Sequence, residues 1–196
     1  MFKKLICLLL IAGAAFNAAN AQSLRHSFGE TVSVVHAKAN PNDYYSYDRT
    51  LVQSNLSYFP RYSFMEYGKT SLSLGVPLGL GFGMYTDTYD SDDGIYFSLD
   101  LPLVLDFNIG CNSSKENDDN FGGFFGVGFG YQLMSISDTE YADYDGVSYG
   151  PMVRGGVRFR GSSRWRTKSI TISSFYKKGM EDDKFSTFGL SAFFDL

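Results

Sequence analysis

The sequence predicts an all-β chain: an eight-stranded antiparallel up-and-down transmembrane β-barrel behind a cleaved N-terminal signal peptide. Three observations predict it. From Ser71 to Met84 every even position is large and apolar (Leu72, Leu74, Val76, Leu78, Leu80, Phe82, Met84). Every odd position there is small or conformationally special (Ser71, Ser73, Gly75, Pro77, Gly79, Gly81, Gly83). Successive strand side chains point to opposite faces, so this is a strand with one greasy and one tiny side. At about 3.3 Å per residue it runs on the order of 45 Å, enough to cross a bilayer core when tilted. The same alternation recurs along the chain, and the export signal that precedes it is followed by no apolar run of helical-span length.

The N-terminus comes first in order. Met1-Phe2-Lys3-Lys4 is basic, Leu5 to Phe16 is an apolar core, and Ala19-Asn20-Ala21 is a small-residue cleavage site. Residues 1–21 therefore read as a secretory signal peptide, and 22–196 as one barrel domain.

Phe28 to Ala37 alternates around Val32 and Val34 and reads as the first strand. Thr50 to Tyr62 is the second, with Val52, Leu56 and Tyr58 opposite Gln53, Asn55 and Ser57, and Phe64 to Lys69 is a short turn. The opening stretch is the third strand. Ile95 to Gly110 is the fourth, with Phe97, Leu99, Leu101, Leu103, Leu105, Phe107 and Ile109 on one face. Its other face carries Ser98, Asp100, Pro102, Asp106 and Asn108.

Cys111 to Asn120 is a polar turn. Phe121 to Ser137 is the fifth strand, with Phe125, Val127, Phe129 and Tyr131 opposite Gly126, Gly128, Gly130 and Gln132. Val147 to Arg160 is the sixth, Lys168 to Lys177 the seventh and Phe185 to Leu196 the eighth. Two-sided alternation favours an antiparallel sheet between two environments over a buried parallel one. Closure removes the unpaired edges, and a polar inner face leaves the apolar face for lipid.

Composition excludes several classes. Removing Lys3 and Lys4 from the 17 basic residues leaves 15 against 21 acidic, a formal charge of −6, which argues against nucleic acid. The mature chain keeps a single cysteine, Cys111, so it forms no internal disulfide. With 18 Phe, 14 Tyr and 21 Gly, an exported chain without helical spans suits an outer-membrane barrel.

Tyr58-Phe59-Pro60-Arg61-Tyr62, Ser73 to Gly81 and Leu101 to Gly110 carry a family resemblance. On them the chain resembles the small eight-stranded outer-membrane β-barrel proteins of the OmpA/OmpX-like superfamily, in the form found in Bacteroidota. The resemblance covers essentially all of the mature chain. It implies periplasmic termini, short periplasmic turns, longer surface loops and residence in the outer membrane. Family barrels commonly end in an aromatic residue; this chain ends Phe193-Phe194-Asp195-Leu196.

Within such a barrel the lumen is only wide enough for side chains to fill it, and charges there must pair. Asp100 and Asp106 on the fourth strand, with Arg154, Arg158 and Arg160 on the sixth, are expected to form that network. The inward glycines of strands three and five are expected to clear space for the arginines. The outward loops collect acid: Asp87, Asp90, Asp92 and Asp93 in one, Asp138, Glu140, Asp143 and Asp145 in another. Clustered Asp and Tyr suit a solvated surface, a divalent bridge to lipopolysaccharide phosphate, or a protein partner. Trp165, Tyr62 and Phe194 are expected to anchor the headgroup zone.

No enzyme signature appears. The only histidines are His26 and His36, and no nucleophile, base and orienting group are fixed together. No cofactor and no metal site are expected, because Cys111 and two histidines make no metal-ligand spacing. The expected function is a structural or interaction role: envelope integrity, surface adhesion or an accessory subunit, as a monomer or within a larger complex. The alternatives are a narrow pore, a lipid A-modifying barrel enzyme and a soluble lipocalin-like carrier. The carrier requires the even positions of the third strand to face inward.

Overall fold

The computed structural model describes residues 23–37, 49–86, 93–115, 117–136, 144–161, 169–180 and 185–196. The expected signal peptide, Trp165, and Asp87, Asp90, Asp92, Asp138, Glu140 and Asp143 lie outside these residues. The described chain forms ten strand segments: β1 (Ser23–Ala37), β2 (Arg49–Tyr67), β3 (Thr70–Gly75), β4 (Leu78–Thr86), β5 (Asp93–Asp100), β6 (Leu103–Gly110), β7 (Phe121–Ile136), β8 (Tyr144–Arg160), β9 (Ser169–Lys178) and β10 (Ser186–Asp195). β3 and β4 are one stave interrupted at Val76-Pro77, and β5 and β6 another interrupted at Leu101-Pro102. Eight staves result.

They close on themselves. β1 pairs antiparallel with β2 on one side and β10 on the other, so Val32 faces both Ser54 and Leu190. The ring continues from β10 through β9 and β8 to β7, which pairs with both β5 and β6. Those segments pair with β4 and β3, and these with β2. No edge is left among the described strands, which is the condition for placing a sheet in hydrocarbon.

The alternation sorts as a membrane barrel requires. Leu80, Phe82 and Met84 are 67%, 59% and 62% exposed on the outside, while Gly79 and Gly83 are buried. The even positions of the third strand therefore face outward, which removes the carrier reading. Phe97, Leu103, Leu105, Phe107, Phe125, Val127, Phe188 and Leu190 continue this apolar belt.

Four differences from the sequence reading have physical causes. β1 starts at Ser23, because Ser23 to Ser27 find partners in Ser63 to Phe59 on the extended β2. The turn expected over Phe64 to Lys69 shrinks to Gly68-Lys69. A register shift between Ser63 and Met65 carries β2 onward, and Gly68 takes the left-handed φ of 54° that the reversal needs. The third and fourth strands are interrupted because proline lacks the ladder donor. Finally, the third-strand glycines clear space for residues other than arginine: a Cβ at Gly75 would strike the Phe59 ring, and one at Gly83 the Tyr96 ring.

Candidate functional site: the filled lumen

The interior is stacked in layers. At the end that carries Ser23 and Leu196, Asp195 is the hub. Ser27 and Ser169 donate their hydroxyls to its carboxylate, Thr171 Oγ1 donates at 3.1 Å and Asn112 Nδ2 at 3.1 Å, and Arg61 Nη2 lies 4.0 Å away. Arg25 donates to the backbone and side-chain oxygens of Asn112 and lies 3.8 Å from Glu66. Asn112 comes from the turn after β6, where a φ of 55° lets its side chain reach Ser169 at 3.0 Å. The turn is tied down by Ser113 Oγ donating to the Lys69 carbonyl (2.8 Å) and Ser114 Oγ to the Gly68 carbonyl (2.7 Å). It folds across the barrel mouth as a stopper. Cys111, in the same turn, is buried, and burial pushes its thiol up from the ordinary value, which makes it a poor nucleophile.

Above this lies an aromatic and cationic layer. Arg154 sits 4.7 Å from the Phe59 ring centroid and 4.8 Å from that of Phe124, with Nε 3.7 Å from Asp106. Arg158 lies 4.6 Å over Phe124 and donates to Asn108 Oδ1 at 2.8 Å; Asn108 in turn donates to Ser73 Oγ at 2.9 Å. Phe59, Val104, Met152 and Phe193 pack together beside them, with Phe175 against the cluster. Guanidinium stacking between rings replaces part of the hydration that burial removes.

The next layer is a relay across the lumen. Lys177 Nζ donates to Gln132 Oε1 (2.8 Å), Gln132 Nε2 to Gln53 Oε1 (2.9 Å), and Gln53 Nε2 to Asp100 Oδ2 (3.4 Å). Asn55 also donates to Asp100, and Ser98 Oγ to Asn55 Oδ1 at 2.9 Å. A second apolar cluster of Val35, Leu51, Tyr96, Met134 and Phe185 closes the end opposite Ser23 and Leu196.

The structure thus divides the five residues expected to form one network. Asp106 and Arg154 are brought together. Arg158 is inside but bonds to Asn108, and Asp100 is inside but bonds to amides. Arg160 departs from the expectation: it is exposed and pairs outside the lumen with Asp118 at 2.6 Å. It is the last residue of β8, where the strand leaves the packed interior for the neighbouring turn. Asp93 and Asp145 fall in strands, opposite Thr86 and Ser135, and are not loop residues. Of the anchors, Phe194 is exposed and Tyr62 half-buried. His26 lies within β1 against Tyr58 (Nδ1 to Oη 2.6 Å), and exposed His36 meets Thr50 Oγ1 at 3.3 Å.

Arg25, Arg61, Lys177 and Asp195 were missed. Their signal was parity: Arg61 shares a face with Gln53, Asn55 and Ser57, Lys177 with Ser173, and Asp195 alternates against Phe194.

No protein-family model matches the chain, and no curated protein matches it. Among solved structures it is similar to Neisserial surface protein A at 11% identity, covering 90% of this chain and 99% of that one, with a TM-score of 0.53. It is similar to the outer membrane protein OprG from Pseudomonas aeruginosa at 9% identity, covering 91% and 98%, also with a TM-score of 0.53. The Ail protein of Yersinia pestis, solved with the heparin analogue sucrose octasulfate, aligns at 13% identity over 91% and 100% with a TM-score of 0.47. The first two likenesses show the fold, that of the small outer-membrane β-barrels.

Proposed function

We propose that this chain is an integral outer-membrane barrel with a structural or interaction role, closed to axial flow. Its termini face the periplasm, and its acidic connections present a surface for a macromolecular partner or for cation-bridged lipopolysaccharide. The observation that carries this reading is the series of filled layers, from the Asn112 stopper through Phe59–Arg154–Phe124 and the Lys177–Asp100 relay to the Val35–Phe185 cluster. A lumen crossed by successive layers of packed side chains serves as a wall and a platform rather than a conduit.

The test is single-channel recording of the purified protein in a planar bilayer, and the expected trace shows no unitary conductance. Reproducible steps that change when Arg158→Trp is introduced would favour the second reading, a narrow pore. That reading draws on one observation. Arg61 Nη2, Arg158 Nε and Nη2 and both Asp106 carboxylate oxygens find no hydrogen-bond partner among the described residues, and water is the ordinary partner of buried polar atoms left in that state.

A further inference from the structure

The two interrupted staves are interrupted at the same height. β3 and β6 pair as far as Gly75 with Val104, and β4 and β5 resume at Gly79 with Asp100. The register is continuous across the interval, which puts Pro77 opposite Pro102. Val76 N donates to Pro60 O at 3.1 Å, on the β2 side, and Leu101 N donates to Tyr131 O at 2.7 Å, on the β7 side. Hydrogen-bonding direction alternates along a strand, so Pro77 and Pro102 turn their backbone groups toward each other. An ordinary pair at that position exchanges two N–H···O bonds; here neither residue has an N–H, and both bonds are missing. Four residues of seam, roughly 13 Å, pass without a backbone bond. Two carbonyls are left without a donor among the described residues.

Behind the seam lies a cavity of about 60 Å³, walled by Pro77, Pro102, Met152, Phe175 and Phe193 and bordered by Gln132 and five serine and threonine residues, Thr187 among them. Arg154, Lys177 and Asp100 also border it, but their charged ends are engaged with Asp106, Gln132 and Asn55. The Lys177 stem lies along Gly130 and presents carbon. Thr187 is 2% exposed, and its buried hydroxyl has no hydrogen-bond partner among the described residues. Outside the seam, Leu80, Leu101 and Leu103 belong to the exposed apolar belt.

We propose that this seam is a lateral gate, through which a single alkyl chain carrying a hydroxyl or amide N–H passes from the membrane hydrocarbon into the cavity. The chain matches the carbon of Pro77, Pro102, Met152, Phe175 and Phe193 and is supplied by the belt outside. The donor matches the Pro77 and Pro102 carbonyls, which hydrocarbon alone leaves unsatisfied. The inference rests on the membrane-embedded reading above and is compatible with axial closure, because the gate opens sideways.

The test is photo-crosslinking of the full mature barrel in phosphatidylcholine vesicles. The probes are a long-chain fatty amide with a terminal diazirine and the corresponding methyl ester, which has no donor. Adducts are located by mass spectrometry. Expected are inward adducts on Met152, Thr187 and Phe193 with the amide, and outward adducts on Leu80 and Leu103 with both probes. Inward labelling should fall about fivefold or more with the ester, the worth of one hydrogen bond. It should fall similarly in the P77V/P102V double variant, whose two new amides close the seam and gain protection from hydrogen exchange. The single variants, each checked for heat-modifiable gel mobility, serve if the double variant fails to fold. Adducts confined to Leu80 and Leu103, or inward labelling equal for amide and ester or unchanged in folded variants, would overturn the gate. Loss of the outward adducts as well would overturn the membrane-embedded reading itself.

Discussion

The Asp195 carboxylate lies 4.0 Å from the Arg61 guanidinium, both side chains being 2% exposed, and it gathers hydrogen bonds from β1, β9 and the turn after β6. The penultimate residue of the chain thus fastens the last stave to the first and to the stopper. Asp195→Ala leaves Arg61 buried opposite no carboxylate, and loss of one partner of a buried pair costs about 3 kcal/mol or more. The expected outcome is a lower urea midpoint for the shift in gel mobility of the folded barrel. A midpoint equal to that of the parent would refute the hub.

Asp106 and Arg154 should behave as a coupled pair. Asp106→Leu strands a guanidinium in the lumen and is expected to cost about 3 kcal/mol. Adding Arg154→Leu removes the stranded charge, so the double variant should recover most of the loss. A double-mutant cycle on the same urea transition measures it. Strictly additive costs would mean that the 3.7 Å approach carries no coupling.

Two glycines separate close packing from spare room. At Gly81 an added Cβ would run into the Ser54 carbonyl and the Asn55 side chain, whereas at Gly155 the nearest atom is the Phe124 carbonyl at 3.4 Å. Gly81→Ala should therefore destabilise by about 1–3 kcal/mol through overpacking. Gly155→Ala should stay within about 0.5 kcal/mol of the parent. Equal effects in thermal unfolding would contradict the packing.

The turn after β6 carries a pH-sensitive tether. Lys69 Nζ donates to Asp119 at 2.9 Å, and this bond holds the Asp119 carboxyl below the ordinary aspartate value of 3.8. A depressed carboxyl contributes above its unfolded value and loses that contribution as pH falls through the folded one. The tether should accordingly be intact at neutral pH and release only below 3.8. Carboxyl NMR titration in micelles should show Lys69→Met moving Asp119 upward, and added salt doing the same to a smaller extent. An Asp119 titration indifferent to Lys69 would remove the tether.

Period-two alternation determined by itself that the chain is a closed antiparallel barrel and which side faces lipid. Two-residue periodicity reports the environment of each face without reference to any partner. The order of Leu72 to Met84 against Gly75 to Gly83 sufficed for that, and parity alone would have added Arg61, Lys177 and Asp195 to the inward set. The tertiary structure decided which inward residues meet. Strand tilt and stagger set the height of each side chain through the register of the whole ring. Ring closure puts Ser27 against Asp195, 168 positions away, and the register through β7 sets Arg154 level with Asp106 and away from Asp100. The register between neighbouring staves aligns Pro77 with Pro102, two residues that the alternation carries inside unbroken strands and that together leave a gap in the wall.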